Sequence, residues 1–222
     1  MGAFEDILMF LGSTVCHQLE ERSYFFDGVQ MPLCARCIGI HFGFILAMAY
    51  LLLGPKRLAS KLPSARQLVV LASIMAFYLI DAGLSYSGIS PSDNLRRTLS
   101  GLALGVPLPF VLVPMLNLLS GRLSSSKGVL DAPTDWLQIP ALFVAGLAAI
   151  VLAEDVGALF YPVSLAGVLG VFVFFSTVLS VMVLLALDKH PMRYQKKIVL
   201  AAGIAVILLF GLAAFHRAFP TV

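Results

Sequence analysis

Charge is what this chain has least of. Asp, Glu, Lys and Arg make up 12% of its 222 residues, against 59% apolar ones, which leaves too little polar surface to cover a water-soluble globule. Lipid is the expected solvent. Also missing are a Pro/Gly/Ser-rich linker, a block of like charge and a visible internal repeat. The first two absences argue for one domain over residues 1–222, and the third weighs against an inverted-repeat transporter. The net charge of +3 is small and its carriers sit in short segments between apolar runs, which fits membrane orientation and speaks against a nucleic-acid partner. The start Met1-Gly2-Ala3-Phe4-Glu5-Asp6 has no cation and the apolar stretch from Ile7 to Val15 is short, so a secretory signal is not expected. Asp6 stands where a myristoylation signal wants Ser or Thr.

What is abundant is apolar length. A spanning helix needs about 20 mostly apolar residues, and six segments qualify: Leu33 to Leu53, Gln67 to Tyr86, Leu95 to Leu119, Trp136 to Ala153, Val163 to Leu187 and Ile198 to His216. They are set off by Gly54-Pro55, Ser87-Gly88, Ser120-Gly121, Glu154-Asp155 and Asp188-Lys189. The expected fold is therefore an all-α polytopic membrane bundle of six helices (33–216), preceded by a short N-terminal helix and hairpin (1–32). Of the 15 basic residues, Lys56, Arg57, Lys61, Arg66, Arg122, Lys127, Lys189, Arg193, Lys196 and Lys197 fall on one side, and Arg22, Arg36, Arg96, Arg97 and Arg217 on the other. The positive-inside tendency makes the first side cytoplasmic. Both termini are then outside, in what reads as a prokaryotic cytoplasmic membrane.

The cysteines are few and crowded. All three lie within the first 37 residues, as Cys16-His17, then Cys34-Ala35-Arg36-Cys37, with His41 following. Between the halves, Tyr24 to Met31 reads as a hairpin closed by Asp27-Gly28, which doubles the chain back and brings Cys16 and His17 toward the Cys34/Cys37 pair. A C-x2-C pair at a helix start supplies two thiolates, and a Cys or His from a distant segment completes a tetrahedral shell. Zn2+ is the default ion, another transition metal the variant. The positive end of the helix and Arg36 both favour thiolate. His41, four residues after Cys37, is a candidate ligand, a supporting group behind the ligands, or part of a deeper reaction centre. Two rival readings use the same residues: a thiol oxidoreductase with Cys16 as shuttle and a lipid quinone as acceptor, or a structural disulfide with one spare thiol.

Cys16-His17-Gln18, Arg22-Ser23, Met31-Pro32-Leu33-Cys34-Ala35-Arg36-Cys37, Gly39 and Gly43 resemble the signature of a bacterial and archaeal membrane family, domain of unknown function 2085. The likeness continues through Asp81 and the run Ser92 to Gly101, and covers about the first half of the chain. In that family's pattern an aromatic residue stands where this chain has His41. The resemblance thus implies His17 as fourth ligand, in a set of Cys16, His17, Cys34 and Cys37. It implies no activity.

Inside the membrane, Asp81 costs roughly 2.5 to 3.5 kcal/mol on insertion scales and should have a partner. The candidates are Arg96, Arg97, Arg36 and His41, and Arg97 is the expected one, with Ser92, Asn94 and Ser100 holding its fork. Gly39-x3-Gly43 and Gly101-x3-Gly105 predict close helix packing, and Pro107, Pro109, Pro114, Pro140 and Pro162 predict kinks that open a cavity toward the outer leaflet. Arg22, Ser23, Arg36, Asn94, Arg96, Arg97 and the metal would lie at one depth, a collection suited to phosphate or carboxylate on a lipid headgroup or polyprenyl phosphate. The alternative is that the arginines only touch bulk headgroups. Function then divides into a metal-dependent hydrolase or transferase, with Arg22, Arg36 and Asn94 binding and Arg97, His41 and Asp81 acting at the anion, a metal or small-solute transporter, and the thiol oxidoreductase.

Overall fold

The computed structural model describes residues 2–121, 127–187 and 192–218. Arg122 and the Asp188-Lys189 boundary lie outside the described residues, as does the side chain of Arg217. The chain opens with α1 (Ala3–Gly12), passes through a 3-10 turn at Glu20–Arg22, and makes a two-stranded hairpin, β1 (Phe25–Phe26) with β2 (Val29–Gln30). Helices α2 (Ala35–Leu53), α3 (Ala65–Tyr86), α4 (Asn94–Gly105), α5 (Pro109–Leu119), α6 (Gln138–Leu152), α7 (Gly157–Ala186) and α8 (Tyr194–Ala218) follow. Taking α4 and α5 as one stretch, and α6 with the 3-10 turn before it, six helical stretches among the described residues are long and apolar enough to cross a membrane. The protein is an all-α membrane bundle, as its composition demands.

The boundaries have local causes. Ser64 caps α3 by accepting from the Gln67 N–H, and the Gln67 side chain accepts from the Ser64 N–H in return. Asp93 caps α4, accepting from the Arg96 N–H at 2.7 Å. The expected third span is interrupted at Val106-Pro107-Leu108, between α4 and α5, where Pro107 offers no N–H to the ladder. By contrast α7 starts at Gly157, ahead of the expected Val163, and runs through Pro162.

The centre of the bundle is α2, which packs against α4, α5, α6 and α7. Its contact with α4 is backbone on backbone. A Cβ added at Gly101 would stand 2.3 Å from the Arg36 carbonyl oxygen, and one at Gly105 would stand 2.1 Å from that of Ile40. The two small-residue faces read from the sequence therefore meet each other. In contrast, α3 packs on α4 and buries only Leu71 and Asp81 fully along its 22 residues, so its outward face is left to lipid.

The N-terminal segment is laced over the ends of α2 and α4. Asp27 and Gly28 both have positive φ, 48° and 75°, as a two-residue hairpin turn requires. The Tyr24 hydroxyl meets Thr98 Oγ1 at 2.8 Å, and Asn94 Nδ2 donates to the Ser23 carbonyl at 3.1 Å. At the other end of the segment, Phe10 of α1 lies against Phe210 of α8, with ring centroids 6.1 Å apart.

Gly105→Val should lower stability by about 3 kcal/mol or more, since the clash is with backbone that cannot rotate away. Gly203→Val, where nothing lies within 4 Å, should be close to neutral. Thermal unfolding of the two variants in detergent measures the contrast.

Candidate metal and anion site

The site is assembled from three pieces of chain that the hairpin and the α2–α4 contact bring together. Cys34 is the N-cap residue of α2, and Cys37 lies in its first turn. Cys16 arrives from the segment before the hairpin, where Gln18 adopts φ 54°, a left-handed conformation that costs a non-glycine residue roughly 1–3 kcal/mol. The Gln18 side chain holds it there. Its Nε2 donates to the Met9 carbonyl at 2.7 Å and to the Pro32 carbonyl at 2.8 Å, while the backbone carbonyl of Gln18 accepts from Gln30 Nε2 at 2.8 Å.

The result is that the sulfur atoms of Cys16, Cys34 and Cys37 all lie within 4.8 Å of one another. Cys16 Sγ accepts the backbone N–H of Cys34 at 3.2 Å and that of Gln18 at 3.4 Å, the kind of support that suits a negatively charged sulfur. Hydrogen bonds from Cys16 and Cys37 hold the Cys34 thiol well below the usual thiol range, while Cys16, donating to Cys34, is pushed up. Like charges this close oppose one another, so a cation is what would let all three sulfurs be charged together. Three sulfurs about 2.3 Å from one tetrahedral ion stand about 3.8 Å apart. The observed limit of 4.8 Å takes in that spacing.

A cavity of about 210 Å³ opens beside the sulfurs. Its wall includes His17, Gln18, Arg22, Arg36, Tyr78, Tyr86 and Arg97 as well as the three cysteines. His17 therefore shares the cavity, but among the described residues the gathered ligand atoms are those of the cysteines. The kinking prolines of the sequence are not among the cavity residues. The opening is made by the N-terminal segment meeting α2, α3 and α4.

The expected partner of Asp81 is corrected. Asp81, 1% exposed, receives Arg36 Nη2 at 2.6 Å and Arg96 Nε at 2.6 Å, with Ser100 Oγ donating at 2.8 Å and Ser92 Oγ at 3.4 Å. Arg97 is turned elsewhere, its Nη1 donating to Asn94 Oδ1 at 3.4 Å. The reason is helical phase. With Asp93 fixing the start of α4, Arg96 and Ser100 are four apart and share the face toward α3, whereas one residue further rotates Arg97 toward the cavity.

Of the readings open to His41, that of a metal ligand finds no support among the described residues, where the gathered ligand atoms are those of the cysteines. His41 is buried between α2 and α7, its ring 5.4 Å from that of Phe174 and 6.4 Å from that of Phe175, and it is not among the cavity residues. A Cβ at Gly170 would stand 2.2 Å from the His41 carbonyl oxygen. That close approach of α7 covers the face of α2 one turn below Cys37. Asn94 serves the site indirectly, binding the Ser23 carbonyl on one side and Arg97 on the other.

Sequence reasoning missed Tyr78, Tyr86 and the structural part played by Gln18. Tyr78 lies three residues before Asp81 on the same face of α3, and Tyr86 is the last residue of that helix, yet an aromatic residue in an apolar span gives no separate signal. Tyr86 stacks under Arg36, whose Cζ is 5.8 Å from the ring centroid.

A family model described as predicted membrane protein, domain of unknown function 2085, matches residues 16–111. The match takes in the cysteine segment and α2 to α4, and ends within α5. An uncharacterized protein of Methanocaldococcus jannaschii is 31% identical over 103 residues, which is 46% of this chain and 64% of that relative. Another from Methanothermobacter thermautotrophicus is 32% identical over 94 residues, 42% of this chain and 80% of the relative. The chain thus spans less than two thirds of the first of these. No solved structure matches.

Asp81→Asn should cost about 3–5 kcal/mol, because it strands two arginines around a buried neutral amide. Arg96→Gln, whose side chain is 33% exposed, should cost about 1 kcal/mol or less. Unfolding in mixed micelles with increasing denaturing detergent orders the two.

Proposed function

Since this chain belongs to the predicted membrane protein family of domain of unknown function 2085, we propose that the sulfur cluster is the working site of that membrane protein. In this reading Cys16, Cys34 and Cys37 would hold a transition metal ion, by preference Zn2+, beside the arginine-lined cavity. The observation that carries it is the gathering of three sulfurs, from two distant segments, within 4.8 Å of one another. Three protein ligands with one position left for water or substrate is the pattern of a catalytic zinc site, whereas a structural site closes with four. The protein then acts on an anionic ligand, as a metal-dependent hydrolase or transferase.

The ion in such a site supplies Lewis acidity toward an oxygen of the ligand. The chain's own residues do the rest. Arg36 and Arg97 bind and orient the anion from α2 and α4, and Arg22 closes the cavity from the N-terminal segment. Asp81, with both oxygens engaged by Arg36, Arg96 and two serines, acts as a positioning residue for Arg36. His17 stands on the wall as the group within reach of a proton on the ligand. For orientation, the side bearing Lys56, Lys61 and Lys197 is cytoplasmic and the cysteine side faces outward in a prokaryotic cytoplasmic membrane.

Elemental analysis of the purified, reduced protein should find one equivalent of metal, lost in Cys34→Ser and largely kept in His17→Ala. With Co2+ in its place, the absorption should show sulfur-to-metal charge transfer that weakens with each cysteine removed. A folded, reduced wild type without metal, or a stable Cys34–Cys37 disulfide in the protein as isolated, would sink the reading. Orientation is read separately: a membrane-impermeant maleimide on intact cells should label Asp27→Cys and spare Lys61→Cys.

A further inference from the structure

The cavity's cations outnumber its anions. Arg22, Arg36 and Arg97 line it from three different elements. Arg22 has Glu21 at 3.4 Å, in a pair whose side chains are 38% and 66% exposed, so solvent screens much of that charge. Arg36 shares Asp81 with Arg96, two cations on one carboxylate. Arg97 makes no ion pair among the described residues, its recorded side-chain partner being the Asn94 amide oxygen. Arg36 itself is 8% exposed, and its Nε is buried with no hydrogen-bond partner. Guanidinium groups gathered beside one another, with an unused buried donor among them, call for an oxyanion with several oxygens.

Size and position narrow the class. At about 210 Å³ the cavity is smaller than the roughly 300–1,000 Å³ that engulfs a drug-sized ligand. It takes a headgroup and leaves the rest of the molecule outside. Its α3 wall is made by Tyr78 and Tyr86, on the helix that buries only Leu71 and Asp81 and exposes Leu79, Ile80 and Tyr86. A ligand leaving past α3 would therefore meet lipid, and tyrosines are enriched where a membrane meets water. We propose that the cavity binds a phosphate monoester, the headgroup of a lipid, with Arg36 and Arg97 as its fork. A phosphate monoester turns three free oxygens to the two guanidinium groups, one more than a diester has. This rests on the metal reading only in that one phosphate oxygen would take the ion's fourth position.

The test uses full-length protein in neutral phosphatidylcholine nanodiscs. Titration calorimetry is run with short-chain phosphatidic acid, short-chain phosphatidylglycerol, diacylglycerol and inorganic phosphate. Phosphatidic acid should bind saturably and at least tenfold more tightly than phosphatidylglycerol, with no binding of diacylglycerol. Arg97→Gln should weaken it at least tenfold. Arg97→Lys, which keeps the charge and guards against misfolding, should lose the monoester-over-diester preference. In the Co2+-loaded protein, phosphatidic acid should shift the visible bands and diacylglycerol should not. Absence of saturable phosphatidic acid or phosphate binding by folded wild type, or binding untouched by both Arg97 variants, overturns the proposal. Inorganic phosphate binding as tightly as phosphatidic acid keeps the oxyanion site and overturns its lipid source. Arginine-dependent lipid binding in protein that takes up no metal upholds the oxyanion site and overturns the metal reading alone.

Discussion

The approach of α2 to α4 governs everything described above. Where Gly101 and Gly105 meet the carbonyls of Arg36 and Ile40 there is no room for a side chain on either face, so the two helices have one available separation and one register. That register sets Arg97 beside Cys34 and Cys37. It also brings Thr98 under Tyr24, so that the hairpin has a fixed platform to rest on. In lipid, where apolar contact between helices gives no hydrophobic advantage, such close packing and polar contacts are what hold helices together.

The buried charges sit on this frame in a definite hierarchy. Asp81 answers two arginines from two helices, which joins α3 to a pair of helices it otherwise touches mainly through α4. One of those arginines lies between the two cysteines of the C-x2-C pair. Fixing Arg36 therefore fixes the turn that carries the sulfurs, and the ion cluster and the sulfur cluster are mechanically one object.

Much of this could be read from the residues. Long apolar runs located the spans, Asp27-Gly28 located the hairpin, and the paired small-residue faces foretold a close contact. The crowding of cysteines within the first 37 residues pointed to convergence, which the three sulfurs achieve. What escaped were rotations. A helix turns about 100° per residue, so whether Arg96 or Arg97 reaches Asp81 depends on which face α4 gives to α3, and only the packing of α4 on α2 decides that. His41 shared a face with Cys37 by spacing, but the covering of that face by α7 is a long-range event with no local mark. The strained backbone at Gln18 is similarly invisible, since its support comes from Met9, Pro32 and Gln30 across the fold.

The shared carboxylate has a consequence for how this sequence can drift. A neutral residue at position 81 strands two cations, and a neutral residue at position 36 leaves the carboxylate leaning on the more exposed Arg96. Each single step runs downhill in stability, even where a fully apolar trio of similar volume would be tolerated. Positions 36 and 81 thus behave in mutation as a single character, changed together or kept, while position 96 changes at little cost.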